Sequence, residues 1–583
     1  MMSLDQTPIN QLITDNIDTW TSTVKTKATT GRGSSKKLEL YGVKKLRELI
    51  LELAVRGKLV PQDPNDEPAS VLLERIAAQK AQLIKDKKIK KNRKQPVITQ
   101  EEIYFSAPKS WAYARLEDVY DVRDGTHDSP KPTSEGYPLV TSKNLSSGKL
   151  DLSEVKLISK EDHMKVIERS RVDRNDILFA MIGSIGNPVI VDTEIEFSIK
   201  NVGLFKYYNP KDSSPNYLNH FLKYAAEIMK KQSAGGVQPF VSLGKLRGFV
   251  MPTPPLAEQH RIVAKVNELM TLCDQLEQQT EASIEAHQVL VTTLLDTLTN
   301  SANAEELMQN WQLVAEHFDT LFTTEESIDQ LKQTILQLAV MGKLVPQDPN
   351  DEPAAKLLER IAEEKAQLVK EKKIKKHPSV EPIGHVGVIP SSWKEIVVQD
   401  FADIRLGSTP SRHESKFWNG DIPWVSSGEV ANGVIVDTAE KITQVGFDNS
   451  STSIIPKRSL LMAIIGQGKT RGQTALLGID ACTNQNVAAF VFNEELVIPE
   501  YVWLWAQSKY ESHRQGGHGG AQPALNGKKV RSFAFPLPPT NEQMRIVAKV
   551  NALNLLCDQL KQRLRTSQQT QLQLTDAIVE QAL

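Results

Sequence analysis

The sequence is short of cysteine, of net charge and of long apolar runs, and each shortage closes off a class of function. Three cysteines in 583 residues, Cys273, Cys482 and Cys557, are too few and too scattered for a disulfide framework or a zinc cluster, and a reducing cytoplasm is the expected setting. The 11 histidines include no HExxH pair, so no metal site follows from them. No apolar run approaches the roughly 18 residues that a membrane span requires, and the opening MMSLDQTPINQLITDN lacks a basic-then-apolar leader pattern, so neither secretion nor membrane insertion is expected. Lys and Arg total 70 against 71 Asp and Glu, a formal net charge of -1, without the excess of a simple nucleic-acid binder. From Phe105 to Val250 there are 20 basic and 18 acidic residues, and from Val388 to Thr540 14 of each. Binding to DNA must therefore rest on local placement of charge or on a partner.

Catalytic signatures are missing too. There is no NPPY-like methyltransferase tetrapeptide, no glycine-rich dinucleotide fingerprint, no PD...ExK nuclease pattern and no helicase signature. AIIGQGKT, Ala463 to Thr470, carries the GKT of a phosphate-binding loop but lacks its first glycine, and the following RGQTALLG reads as a strand where a helix is needed. The isolated chain is not expected to be an enzyme.

What the sequence does contain is itself, twice. AVRGKLVPQDPNDEPA (Ala54 to Ala69) returns as AVMGKLVPQDPNDEPA (Ala339 to Ala354), with fifteen of sixteen positions identical at an offset of 285. EQHRIVAKVNELMTLCDQLE (Glu258 to Glu277) returns as EQMRIVAKVNALNLLCDQLK (Glu542 to Lys561) at an offset of 284. Such a period exceeds any solenoid repeat and spans a domain plus a helical arm. With b for the VPQDPNDEP block, T for the variable stretch and a for the EQxRIVAKV helix, the order is b, T, a, b, T, a. The last arm lacks a following b block and the first b block lacks a preceding arm, so the chain ends are expected to lie close together.

Residues 1–36 are polar and read as a flexible or weakly ordered extension. A helical block at 37–104 is followed by a variable domain at 105–252, a central helical region at 253–387, a second variable domain at 388–537 and a helical arm at 538–583. Ile262, Val266, Leu269, Cys273 and Leu276, and then Ile546, Val550, Leu553, Cys557, Leu560 and Leu564, alternate steps of four and three, the seam of a coiled coil. PTPPLAEQ and PLPPTNEQ launch the two arms. A first arm ending near Leu298 would have some 37 residues, or roughly 55 Å. The runs KDKKIKK and KEKKIKK complement helix C-termini, and Lys87, Lys88, Lys90, Lys91, Lys372, Lys373, Lys375 and Lys376 also suit phosphate or partner contact. β-rich runs such as DILFAMIG and SLLMAIIG, set between Gly and Ser turns, indicate mixed α+β variable domains. Trp111 and Trp393 are expected in the core, and Trp418 either there or facing DNA.

The GSTPSR run at Gly407 to Arg412, IPWVSSGEV at Ile422 and the PxPPxxEQxRIVAKV start of each arm resemble the specificity (S) subunits of Type I restriction-modification enzymes, from about Leu46 to the end. The resemblance implies an α+β protein in which two mixed target-recognition domains are separated by antiparallel long-helix (coiled-coil) arms in a pseudo-twofold internal repeat. Each T would read one half of an asymmetric bipartite sequence in double-stranded DNA. Two methyltransferase subunits would dock beside the arms, and motor-nuclease (R) subunits would complete the enzyme. S-adenosylmethionine, ATP and magnesium would belong to those partners, with no cofactor on this chain. Recognition domains on one face of DNA are expected roughly one helical turn apart, about 34 to 36 Å.

Base reading needs donors and acceptors on loops that reach a groove. In the first domain this selects Arg123, Thr126, His127, Lys131, Ser142, Lys143, Asn144, Ser184 and Gln238. In the second it selects Ser408, Thr409, Ser411, Arg412, Ser426, Ser427, Gln467, Lys469, Arg471 and Gln522. The rival readings are a self-contained ATP-dependent enzyme resting on GQGKT and a coiled-coil scaffold without DNA contact.

Overall fold

In the computed structural model the described residues are 8–27, 37–92, 95–232, 240–302, 304–466, 470–515 and 525–583. The chain folds into two compact units, one comprising Met1–Ser283 with Gln568–Leu583, the other Ile284–Ser567. No helix among the described residues is long and apolar enough to cross a membrane.

In the first unit the b block forms two helices, Tyr41–Val55 and Ala69–Lys85. Leu46, Leu49, Ile50 and Leu53 line the buried face of the first of them, at the spacing that puts apolar residues on one side of a helix. Three antiparallel or mixed sheets follow. Ala112–Arg115 pairs with Val250–Thr253 and ties together the two ends of the variable domain. A four-stranded antiparallel sheet has the order Tyr120–Asp124, Val202–Tyr207, Ile177–Ala180, Gly186–Ile190. A smaller sheet sets Tyr137–Val140 between Lys156–Ile158 and Ser198–Ile199. The helix Pro215–Gln232 brings Leu218, Phe221, Leu222 and Ala225 into one core with Phe179 and Phe205 of the main sheet.

The second unit repeats this plan. Helices Glu325–Val340 and Ala354–Lys370 form its b block, and Lys394–Val397 pairs with Ala534–Leu537. The main sheet runs Asp403–Leu406, Val487–Val491, Leu460–Ala463, Thr474–Leu477 and gains a fifth, parallel strand at Val434–Ile435. The small sheet sets Trp418–Val425 between Glu440–Ile442 and Cys482–Thr483.

The two arms are single helices, Leu256–Asn300 of 45 residues and Thr540–Ala582 of 43. The first is longer than the roughly 37 residues expected from the sequence, and at 1.5 Å per residue each is about 65 Å long. The seam residues Ile262, Val266, Leu269 and Cys273, with Ile546, Val550 and Cys557, are buried. Within each unit the long helix meets the first helix of a b block. Arg47 reaches Asp274 at 2.7 Å and Glu277 at 2.6 Å in the first unit. In the second, Lys332 reaches Asp558 at 2.5 Å and Arg565 reaches Glu325 at 2.7 Å, and Lys561 pairs with Asp329. Rising numbers on one helix meet falling numbers on the other, so these two helices run antiparallel. The eight lysines that end the second b helices are exposed.

The segment before the first b block departs from the flexible extension read in the sequence. Residues 9–22 form two short helices, and Lys25–Lys27 pairs with Lys37–Glu39. Trp20 is fully buried. Gly42 is required beside it, because any Cβ there would overlap the Trp20 carbonyl. A single large aromatic is enough to pin so short a segment, and composition averaged over 36 residues hides it.

The chain ends meet within the first unit, as the permuted order predicts. Tyr41 donates its hydroxyl to Asp576 at 2.8 Å, Thr575 donates to Thr23 at 3.0 Å, and Lys58 holds the carbonyl of Leu583. At the equivalent place in the second unit, Lys343 donates to the carbonyls of Thr299 and Ser301, both at 2.9 Å.

Candidate nucleic-acid interface

Each variable domain is seated by a joint that the two units share almost bond for bond. Trp111 donates Nε1–H to Glu258 at 3.0 Å, and Trp393 does the same to Glu542 at 2.9 Å. The other carboxylate oxygen accepts from Gln62 or Gln347, each at 2.6 Å, and those glutamines accept from Ser110 at 2.9 Å and Ser392 at 2.6 Å. Arg261 grips Asp66 and Arg545 grips Asp351, both at 2.6 Å. Burial pushes the Glu258 and Glu542 carboxyls above their ordinary value, against the hydrogen bonds they accept. The repeated VPQDPNDEP and EQxR sequences are therefore two sides of one joint, in which Gln and Asp of the first meet Glu and Arg of the second.

A second shared device launches the loops. The strands Tyr120–Asp124 and Asp403–Leu406 end in Gly125 and Gly407, where any Cβ would overlap the carbonyl of Ile199 or Thr483. The next amides, of Thr126 and Ser408, donate to those same carbonyls at 2.9 Å. Beyond this crossing the loops that lead to the small sheets carry different residues in the two units.

In the second unit the loop carries Arg412, 51% exposed, and Glu440 of the small sheet, 39% exposed, meets it as a bidentate pair. The guanidinium lies 3.9 Å from the ring centre of Trp418. Trp418 stands edge-on to buried Trp424 and donates to the Ser411 carbonyl at 3.1 Å, while Trp424 donates to the Ser408 carbonyl at 3.0 Å. The two indoles thus staple the loop to the small sheet. The hydrogen bond from Arg412 holds Glu440 below the usual carboxylate range. Thr409 donates to Gln485 across the same surface.

In the first unit a buried carboxylate organises the surface. Asp124 accepts from Arg169 and lies 3.1 Å from His127 Nε2, while His127 Nδ1 lies 2.9 Å from Asn201. His127 is 57% exposed. Lys200 reaches Ser129 beside it. Neither surface is uniformly basic. Each is a small set of donors and acceptors with fixed directions.

Residues 108–286 and 390–567 match the Type I restriction modification DNA specificity domain. Over 601 aligned residues the chain is 39% identical to the Type I restriction enzyme EcoAI specificity subunit of Escherichia coli, with 99% of this chain and 100% of that protein covered. This chain belongs to the Type I specificity-subunit family. The EcoEI specificity subunit of Escherichia coli is similarly close, 37% identical with 99% and 100% covered. Among solved structures, the HsdS subunit from Thermoanaerobacter tengcongensis is 16% identical, covers 83% of this chain and 99% of that one, and has a TM-score of 0.40.

The specificity subunit places its sequence-selected residues unevenly. Thr126, His127, Lys131, Lys143 and Ser184 lie on turns or loops of the first unit with at least part of each side chain accessible, as do Ser408, Thr409, Ser411, Arg412, Ser427 and Arg471 in the second. Ser142 opens a short 3-10 turn, partly accessible. Three others are engaged in local bonds. Arg123 lies inside a strand, where it is bound to Asp121 at 2.6 and 2.9 Å and to the Arg169 carbonyl at 3.2 Å. Arg405 and Asp403 repeat that pair in the second unit. Asn144 is 8% exposed, accepts from the Thr141 amide at 2.9 Å and donates to the Asp151 carbonyl at 3.0 Å, so it closes a turn. Ser426 is likewise committed to Glu429, at 2.8 Å from both its amide and its hydroxyl. Gln238, Gln467, Lys469 and Gln522 lie outside the described residues.

Trp111 and Trp393 are buried as expected, and half-buried Trp418 supports Arg412 from beneath. After Thr470 and Arg471 the chain enters the strand Thr474–Leu477, which is not the helix a phosphate-binding loop demands. Among the described residues no group of His, Cys, Asp and Glu could hold a metal ion. Sequence reasoning missed Glu440, Asp124, Arg169 and Asn201. The contacts of Arg412 with Glu440, Arg169 with Asp124 and His127 with Asn201 join residues 28, 45 and 74 positions apart, and a single sequence carries no signal of such pairing.

Proposed function

We propose that the two variable domains of this specificity subunit each read one half of a discontinuous, asymmetric sequence in double-stranded DNA, and that the chain performs no chemistry of its own. The observation that carries this reading is the pairing of shared launching geometry, at Gly125 and Gly407, with different polar side chains on the loops beyond it. A reader of two different half-sites needs a constant mount and a variable face. The curated relatives are named as specificity subunits of Type I restriction enzymes.

On this reading the face of the first domain includes Thr126, His127, Lys131, Ser142, Lys143 and Ser184. That of the second includes Ser408, Thr409, Ser411, Arg412, Ser427 and Arg471. The long helices act as a spacer that sets the unread gap between the half-sites. Two methyltransferase subunits supply S-adenosylmethionine chemistry, and restriction subunits supply ATP- and magnesium-dependent translocation and cleavage. Balanced regional charge is consistent with affinity shared among subunits, since nonspecific phosphate binding by one chain would call for a basic excess.

The test is to sequence methylated bases in cells that express this chain with its methyltransferase partner. The expected result is a discontinuous motif with two unlike halves. Replacing residues 105–252 with the same region of another specificity subunit should change one half alone. A continuous motif, or a change in both halves after the swap, would overturn the reading.

A further inference from the structure

Arg412 is an exposed side chain held as firmly as a buried one. Its face lies 3.9 Å from Trp418, its end is clamped by both oxygens of Glu440, and the loop that bears it is tied down at the Ser408 and Ser411 carbonyls. A surface ion pair of this exposure contributes little to stability, because solvent screens it and ordering two long side chains costs entropy. Stability is a poor reason for so much restraint. What restraint does provide is direction: an arginine already fixed loses little freedom when it binds, and it can accept only a partner whose acceptors lie where its hydrogens point.

The direction can be read from the bonds already made. Glu440 takes one hydrogen from Nη1 and one from Nη2, the end-on edge of the guanidinium. Among the described residues no group accepts from Nε, so the side edge, where Nε–H and the outer Nη2–H run parallel, is open. Two parallel donors match the N7 and O6 acceptors that guanine presents in the major groove. Each Glu440 oxygen keeps a second lone pair, and a carboxylate is the acceptor suited to the N4 amino group of cytosine. Guanine and cytosine of one base pair present these groups side by side.

We propose that Arg412 and Glu440, supported by Trp418, form a single reading unit for one G·C base pair in the half-site taken by the second variable domain. The proposal rests on the DNA-reading function set out above. Arg412 donates to guanine N7 and O6, and Glu440 both holds Arg412 and accepts from the cytosine of the same pair. The first unit reads nothing by this means: its loop after Gly125 has no arginine on an indole, and its organising carboxylate, Asp124, sits within the strand.

The test uses the complete complex with its methyltransferase subunits and compares methylated motifs for the wild type, Arg412→Gln and Glu440→Gln. For Arg412→Gln the expected result is loss of selectivity at one G·C position of one half-motif, with the other half unchanged. Discrimination there should fall on the order of 10- to 100-fold. Glu440→Gln should relax the same position to a smaller degree. An unchanged motif in Arg412→Gln means that the residue only ties down its loop, and it overturns the proposal while leaving the DNA-reading function intact. A uniform fall in methylation with the motif preserved marks a phosphate contact and also overturns it. If Arg412→Gln lowers the unfolding temperature and abolishes methylation, Glu440→Gln decides: relaxation at one G·C position supports the proposal, and an unchanged motif refutes it. A wild-type complex that methylates no discontinuous motif removes both readings together.

Discussion

The two units agree where the variable domain is mounted and disagree where its loops begin. At the mount, Trp111, Gln62, Ser110 and Glu258 are matched by Trp393, Gln347, Ser392 and Glu542, with bond lengths that differ by at most 0.3 Å. A few residues away, His127 with Asp124 faces Arg412 with Glu440, two polar devices with no common member. Sequence identity thus accumulates where the same bonds must be made twice, and it stops where the surface is free to differ.

The strongest way to break this comparison is at the mount. Trp111→Ala and Trp393→Ala should each cost about 3–5 kcal/mol through the cavity left and the Glu carboxylate stranded beneath it, as measured by urea unfolding. Equivalent joints predict equal losses, and a difference beyond about 1 kcal/mol would show that they are not energetically the same. A smaller effect of the same kind is expected at Gly57 and Gly342. Their φ values are +69° and +68°, and a Cβ would stand 2.5 Å from Cγ of Pro108 or Pro390. Alanine at either should cost on the order of 1–3 kcal/mol, again alike in the two units.

Acid should separate the units instead. Arg115, almost wholly buried, pairs with Glu102 at 2.9 Å and pushes that carboxyl from its ordinary 4.5 down to about 2. Because the folded value is the lower one, this stabilisation is present in full above about pH 4.5 and is lost as pH falls toward 2. Val397 occupies the place of Arg115 in the second unit, at the same end of the paired strands. Unfolding followed between pH 5 and 2 should show an extra loss in the first unit that Glu102→Gln removes, and a curve unaltered by that substitution would count against the assignment. The effect is the smallest of the three, since Glu102 is 38% exposed and solvent screens it.

Much of this architecture was legible in the sequence because duplication is a signal that needs no structure. The two arms, their proline starts, the buried seam and the meeting of the chain ends all follow from the order b, T, a, b, T, a. The joint itself was not legible. Gln62 and Glu258 are 196 residues apart, and periodicity says nothing about which repeated polar residues face one another. The loops were found by their Gly and Ser punctuation, yet residue type alone could not separate Arg412, held outward on an indole, from Arg123, spent on Asp121. Asn144 and Ser426 have the chemistry of base readers and the geometry of turn closers. The amino-terminal segment was misread because one buried tryptophan outweighs the polar average around it.

The glycine crossings at Gly125 and Gly407 fix the points from which the loops depart without dictating what lies beyond them. Insertions and deletions past either crossing leave the strand register upstream untouched, so a new sequence preference can be acquired by exchanging loop text of different length. Such a protein can change what it distinguishes without having to learn to fold again.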